Sequence, residues 1–177
     1  VAEDHRARLS AAREQLQALH DEVEKVRASR RVLGQVAEVG LKSRQLVIPR
    51  QTIEEVLKAG SVPFEALVAT GLLRESPDKT TAAFLHLSLQ EYTAALFLAT
   101  LAEKELKQRI RADRDDPSYH LTLTFLSGVV ASKDLWKGEW IFEALAGDAS
   151  TWTSDQQNVH LKLCLKCLNE SLESLNQ

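Results

Sequence analysis

The stretch that most constrains this chain is residues 84–98, Phe84-Leu-His-Leu-Ser-Leu-Gln-Glu-Tyr-Thr-Ala-Ala-Leu-Phe-Leu98. From Ala94 to Ala99 every residue is apolar. A helix with no polar face is buried on most sides, so the rest of the chain must supply elements that wrap it. Ser88 followed three residues later by Glu91 has the spacing of a capping box, which predicts a helix starting at Ser88. His86 stands just ahead of that start. A helix N-terminus offers unpaired N–H groups and partial positive charge, a natural place to meet a phosphate. A ring at a strand end can also be satisfied by a backbone group, and the residues alone favour that plainer reading.

The candidate wrapping elements can be read in order. Residues 2–26 carry Ala2, His5, Leu9, Ala12, Leu16, Leu19, Val23 and Val26 at alternating spacings of three and four, with Arg, Glu, Asp and Lys between them. That is the a/d seam of a heptad repeat. It predicts an amphipathic helical segment over residues 1–29, either pairing with another helix or docked on its own domain. The docked reading is preferred, because Ala and His at seam positions weaken a free-standing zipper. Ser29 and the Arg30-Arg31 pair interrupt the pattern. A short helix over residues 32–39 is expected to stop at Gly40.

Residues 46–48 read as a short strand. A helix after Pro49, capped by Thr52 with Glu55, should run to Ala59 and end at Gly60. Ser61 can cap a helix over residues 63–70 that Gly71 closes. Residues 72–75 and 80–85 flank Ser76-Pro-Asp-Lys79, good turn chemistry for a hairpin. The helix from Ser88 then continues to about Ile110. Three helices followed by a hairpin is the order of a winged helix, assigned here to residues 30–100.

Residues 101–177 read as an all-helical second domain. Asp116-Pro117 starts a helix with Asp as cap and Pro at the first position. Another spans about residues 136–145 and ends at Ala146-Gly147. A last one, capped by Ser154 or Asp155, places Leu161, Cys164, Leu165, Leu168, Leu172 and Leu175 on one face. The fold class expected is mainly α: a winged-helix domain with one short β-hairpin, then an all-helical domain.

Composition limits the functions available. The 177 residues are 44% apolar and 27% charged, with a net charge of −3, so nothing pulls the whole chain toward nucleic acid or an anionic membrane. No apolar run approaches the roughly 20 residues of a membrane span. Two cysteines make no disulfide framework and fit a reducing compartment. The chain begins at Val1 and has no methionine, which suggests a piece of a longer protein. No Gly-rich phosphate loop and no Gly-x-Ser-x-Gly elbow occurs, so the piece is not expected to be an enzyme by itself.

Two further patterns invite chemistry. His160, Cys164 and Cys167 form H-x3-C-x2-C on one helix face. Structural zinc usually takes two separated ligand pairs, and no second pair exists here, so no metal is expected and the cysteines read as core. A winged helix also suggests DNA binding. The helix that would enter the major groove, residues 63–70, has no Lys, Arg, Asn or Gln and carries Glu65. Groove readers need such side chains, so a protein contact is favoured and no nucleic acid is expected. Trp136, Trp140 and Trp152 cluster in the second domain and read as core.

The residues around His86 carry a resemblance. Phe84-Leu-His-Leu-Ser-Leu-Gln-Glu-Tyr-Thr-Ala-Ala resembles the F-x-H-x-S-x-Q-E-[FY]-x-A-A signature of NACHT-type NOD-like receptors, the cytosolic innate immune sensors. Leu33-Gly-Gln-Val-Ala-Glu-Val-Gly-Leu41 looks like that family's L-x-x-L-A-x-x-G-L opening of the winged helix. Gly71-Leu-Leu73, Phe125-Leu-Ser-Gly-Val-Val130 and Cys167-Leu-Asn-Glu170 are similar to later segments in the family's order. Residues 1–29 depart from the family pattern.

The resemblance implies a winged-helix domain and helical domain 2, lying between a nucleotide-binding NACHT core and leucine-rich repeats. It implies that His86 hydrogen-bonds the β-phosphate of ADP held by that core and stabilises a closed, autoinhibited state. Exchange for ATP then opens the receptor, which assembles into a homo-oligomer and signals. ADP or ATP would be contacted by this piece only through His86. The alternative from the residues alone is a helical interaction scaffold using the N-terminal heptads.

Overall fold

The computed structural model describes residues 2–58, 62–132, 135–147 and 152–175. Its elements are α1 (Ala2–Lys42), β1 (Val47–Pro49), α2 (Arg50–Leu57), α3 (Phe64–Val68), β2 (Leu73–Glu75), β3 (Thr81–Phe84), α4 (Leu87–Leu98), α5 (Glu103–Asp113), a 3-10 turn (Pro117–Tyr119), α6 (His120–Ala131), α7 (Leu135–Ala146) and α8 (Ser154–Leu175). The chain is thus mainly helical with one small sheet, as the sequence implies. The hairpin forms around the turn that ends at Lys79, with Lys79 at φ +58°. Its second strand, β3, is the middle of three: β1 pairs antiparallel with it on one side and β2 on the other. Val47 lies opposite Ala83 and Leu73 opposite Phe84.

Two cores share one wall. The first gathers Val32, Leu33, Val36 and Leu41 of α1, Ile48, Ile53, Phe64, Leu67, Leu73 and Phe84 around Ala94. The second gathers Leu106, Ile110, Leu123, Leu126, Ile141, Leu145, Leu163 and Cys167 around Ala95, Phe97 and Leu98. Adjacent residues of α4 therefore face different cores. That is why this helix needs no polar face, and its burial is the one the run at 94–99 demands.

Several boundaries differ from the sequence reading. The N-terminal segment and the helix expected at 32–39 are one continuous α1, unbroken at Ser29. Gly40 is inside that helix. A Cβ there would fall 2.7 Å from the Ile48 Cδ1, 3.0 Å from the Gln45 carbonyl and against the Gln90 amide, so glycine serves close approach rather than termination. The stop comes at Arg44, at φ +52°. Gln45 N–H donates to the Gly40 carbonyl at 2.8 Å and Arg44 N–H to that of Leu41 at 2.9 Å, a Schellman closure.

The α2 helix starts after Pro49 without a side-chain cap, so Thr52 does not cap it. The expected end at Ala59 and Gly60, and the cap at Ser61, lie outside the described residues, as do Val1 and the side chains of Ala2, His5, Leu9, Trp136 and Leu175. The helix expected to run from Ser88 to Ile110 is two: α4 closes at Ala99 and α5 starts after Ala102. At the head of the 3-10 turn the Asp116 carboxylate is the cap, as its place before Pro117 implies, accepting from Ser118 N–H at 2.9 Å. The last helix is headed by Thr153 instead of Ser154 or Asp155: its N–H donates to the Gln156 side chain at 3.0 Å and its hydroxyl accepts from Gln156 N–H at 3.4 Å.

Two apolar stripes face out. On α1, residues 11–28 are all exposed, and Leu16, Leu19, Val23 and Val26 are 40–66% exposed, so the seam is not docked on this domain. On α8, Leu161, Leu165, Leu168 and Leu172 are 45–59% exposed, while His160, Leu163, Cys167 and Ser171 face inward. No described helix is long and apolar enough to cross a membrane.

Candidate functional site

The head of α4 is built by its last preceding residue. His86 has extended backbone (φ −153°, ψ 148°) and is itself the N-cap: its Nδ1 accepts from the Ser88 N–H at 3.1 Å. Nδ1 also lies 2.7 Å from the Ser88 hydroxyl. A lone pair on Nδ1 engaged by a backbone N–H puts the proton of the neutral ring on Nε2. Nε2–H is then a donor, and no described residue accepts from it. The ring is exposed. So the expected cap moves from Ser88 to His86, and the plain and the functional readings turn out to use different nitrogens of one ring.

The remaining signature residues anchor the elements on either side of that ring. Phe84 is buried in the first core. Gln90, fully buried, donates from its amide to the carbonyls of Ala37 at 3.2 Å and Gln45 at 3.1 Å, which ties the first turn of α4 to the end of α1. Glu91 is also buried and does not reach back to the helix start. Burial holds its carboxyl above the usual range, with His86 opposing. Tyr92 stands edge-on to Phe125, ring centres 5.5 Å apart. Gln90 belongs to the motif quoted above, but its partners were not legible, because a glutamine in a helix carries no signal of a tertiary contact.

Several apolar side chains are exposed near the head of α4. Leu85 and Leu87, its neighbours in sequence, are about half exposed, and so are Leu46 and Val47. Val47 pairs with Ala83 across β1 and β3, and Leu85 follows two residues on, so all three lie on the outward side of the sheet. Leu46 and Leu87 share a groove with Arg44, Gln45 and Pro117. A ring donor set in an apolar rim suits a face that meets another protein body around a polar ligand. Leu46, Leu85 and Leu87 were legible only as an interrupted apolar pattern; their outward side needed the strand register.

The other candidate residues fall elsewhere. His160 is buried, with its Nε2 2.5 Å from Asp115 and its ring 4.2 Å from that of Trp152. Cys167 lies in the second core and Cys164 at its edge. Burial pushes the Cys167 thiol up to about 11 and raises that of Cys164. Among the described residues no group of three potential metal ligands comes together. The α3 helix is five residues long, buries Phe64 and Leu67, and turns Glu65 to solvent. Arg50 braces it from beneath, 3.9 Å from the Phe64 ring centre and paired with Glu54 and Glu75.

No known family model matches the chain, and no curated protein matches it.

Proposed function

We propose that this chain is the winged-helix and helical-domain-2 module of a cytosolic NACHT-type receptor, regulatory rather than catalytic by itself. The observation that carries the reading is the exposed ring of His86, its Nδ1 engaged by the Ser88 N–H and its Nε2–H free of any acceptor among the described residues, seated on a helix whose body is buried in two cores. A donor held this rigidly needs no reorganisation to meet a phosphate oxygen, and the N-terminus of α4 adds favourable potential. The β-phosphate of ADP, bound by the nucleotide-binding NACHT domain, is the acceptor this reading assigns to it. The contact favours the closed state; exchange for ATP removes it, and oligomerisation and signalling follow. The leucine-rich repeats are the other intramolecular partner.

In the parent receptor, His86→Ala should release ADP faster and raise basal signalling. Unchanged ADP occupancy with unchanged basal signalling would overturn the reading. A second reading, a helical interaction scaffold, is favoured by the exposure of the α1 seam. Nothing in α3 favours DNA binding, which would need cations where Glu65 stands.

A further inference from the structure

The exposed arm of α1 has a polarity that selects its partner. With Leu16 and Val23 at heptad position a and Leu19 and Val26 at d, position e holds Arg13, His20 and Arg27, all exposed. Position g holds Gln15, Glu22 and Ser29. The seam is therefore flanked by bases on one side and by neutral or acidic groups on the other. Arg27 pairs with Glu24 at 2.7 Å, but both are exposed, and such a pair is easily exchanged. At its foot the seam enters a groove floored by Leu96 and Phe97 and rimmed by Arg27, Arg30 and Arg31.

A second copy does not fit this surface in either direction. In an antiparallel pair with Leu16 opposite Val26 and Leu19 opposite Val23, Arg13 faces the second copy's Arg27, and Glu22 faces its counterpart. Every flanking charge then meets its like. In a parallel pair the second helix must also lie beside Leu33 and Ala37, where α4 already sits. Gly34 there is closed against Phe97, with the Thr93 carbonyl 3.0 Å from where a Cβ would be. An anionic membrane is no better an occupant, because residues 11–29 carry four acidic side chains against three basic ones.

We infer that the α1 seam is the docking site for an amphipathic helix of a separate protein, one that carries apolar a/d residues and acidic side chains on the flank facing Arg13, His20 and Arg27. The inference rests on the scaffold reading above and is independent of the role of His86.

The test uses the 177-residue chain and two synthetic 21-residue peptides with Leu at a and d, one with Glu and one with Lys at e and g. Fluorescence anisotropy at low salt should show the Glu peptide binding at least about tenfold tighter. Arg13→Glu with Arg27→Glu should abolish or invert that preference, and Leu19→Asp with Val23→Asp should abolish binding with the helical circular dichroism unchanged. Absence of binding by either peptide overturns the scaffold reading itself. Equal binding of both peptides overturns the charge assignment alone. A concentration-dependent dimer in sedimentation, or co-sedimentation with phosphatidylserine vesicles in place of peptide binding, overturns the assigned partner.

Discussion

The two nitrogens of the exposed His86 ring are used differently: Nδ1 caps α4, and Nε2 meets no acceptor among the described residues. The two can be separated by substitution. Asparagine is a strong N-cap and accepts from the same N–H, whereas alanine offers nothing. In the isolated chain His86→Ala should cost about 1 kcal/mol of stability and His86→Asn no more than a few tenths, read from urea denaturation midpoints. Equal losses would mean that the ring does not cap the helix. The residues around His86 point to a helix start, and Ser88 with Glu91 has the spacing of a capping box, yet the cap is His86. What decides is Glu91, drawn into the core and so unable to complete the box. That choice belongs to tertiary packing and leaves no mark in the local pattern.

At the scale of elements, helices met their expected types, while their ends and faces depended on neighbours. Gly40 is the clearest case. Its place after an apolar run marks it as a terminator, yet it lies against Gln90 and Ile48 so that α1 and α4 can approach. Gly40→Ala should therefore destabilise by about 1–3 kcal/mol through overpacking. Helix propensity acting alone would stabilise by roughly 1 kcal/mol, so the sign of the change in a denaturation curve distinguishes the two. The same close packing explains α8. It meets α6 through small groups: Ser127 donates to the Cys167 carbonyl at 2.9 Å, and a Cβ on Gly128 would sit 2.8 Å from Glu170 Cγ. Such a face needs few large apolar residues, so the leucine stripe, the strongest periodic signal, lies outside. Periodicity shows that a stripe exists; which stripe is covered depends on the partner's surface.

Across the whole molecule the two cores are joined by α4 and by a polar cluster between α1 and α5. Glu38, buried, pairs with Arg109 and lies 3.5 Å from Lys42. Asp113 and Tyr119 titrate under the influence of the same charges. Burial holds the Glu38 and Asp113 carboxyls above their ordinary values, with Arg109 opposing in both. It raises the Tyr119 hydroxyl as well. A carboxyl raised in the folded state binds its proton more tightly there than in the unfolded chain. Its contribution to stability is thus full below the ordinary glutamate value of 4.5 and is lost as pH rises through the folded value. Glu38→Gln should accordingly gain stability relative to the unsubstituted chain as pH rises from about 4.5 toward neutrality, seen by comparing thermal midpoints across that range. A Glu38→Gln variant that loses ground over the same range would contradict the assignment. None of this cluster was legible in the sequence, where no local pattern links Glu38 to Arg109 or Asp113. The mainly helical class and the hairpin were legible, because they follow from local periodicity and turn chemistry.

The role proposed for His86 places its Nε2–H against a nucleotide held by residues outside this chain. The ADP content of the purified parent receptor carrying His86→Asn tests this, because asparagine keeps the cap acceptor and replaces the ring Nε2–H by an amide donor that reaches less far from the backbone. ADP co-purifying at a clearly lower fraction than in the unsubstituted receptor, with the fold and thermal midpoint of the module retained, is the predicted result. Full ADP occupancy in that variant would contradict it.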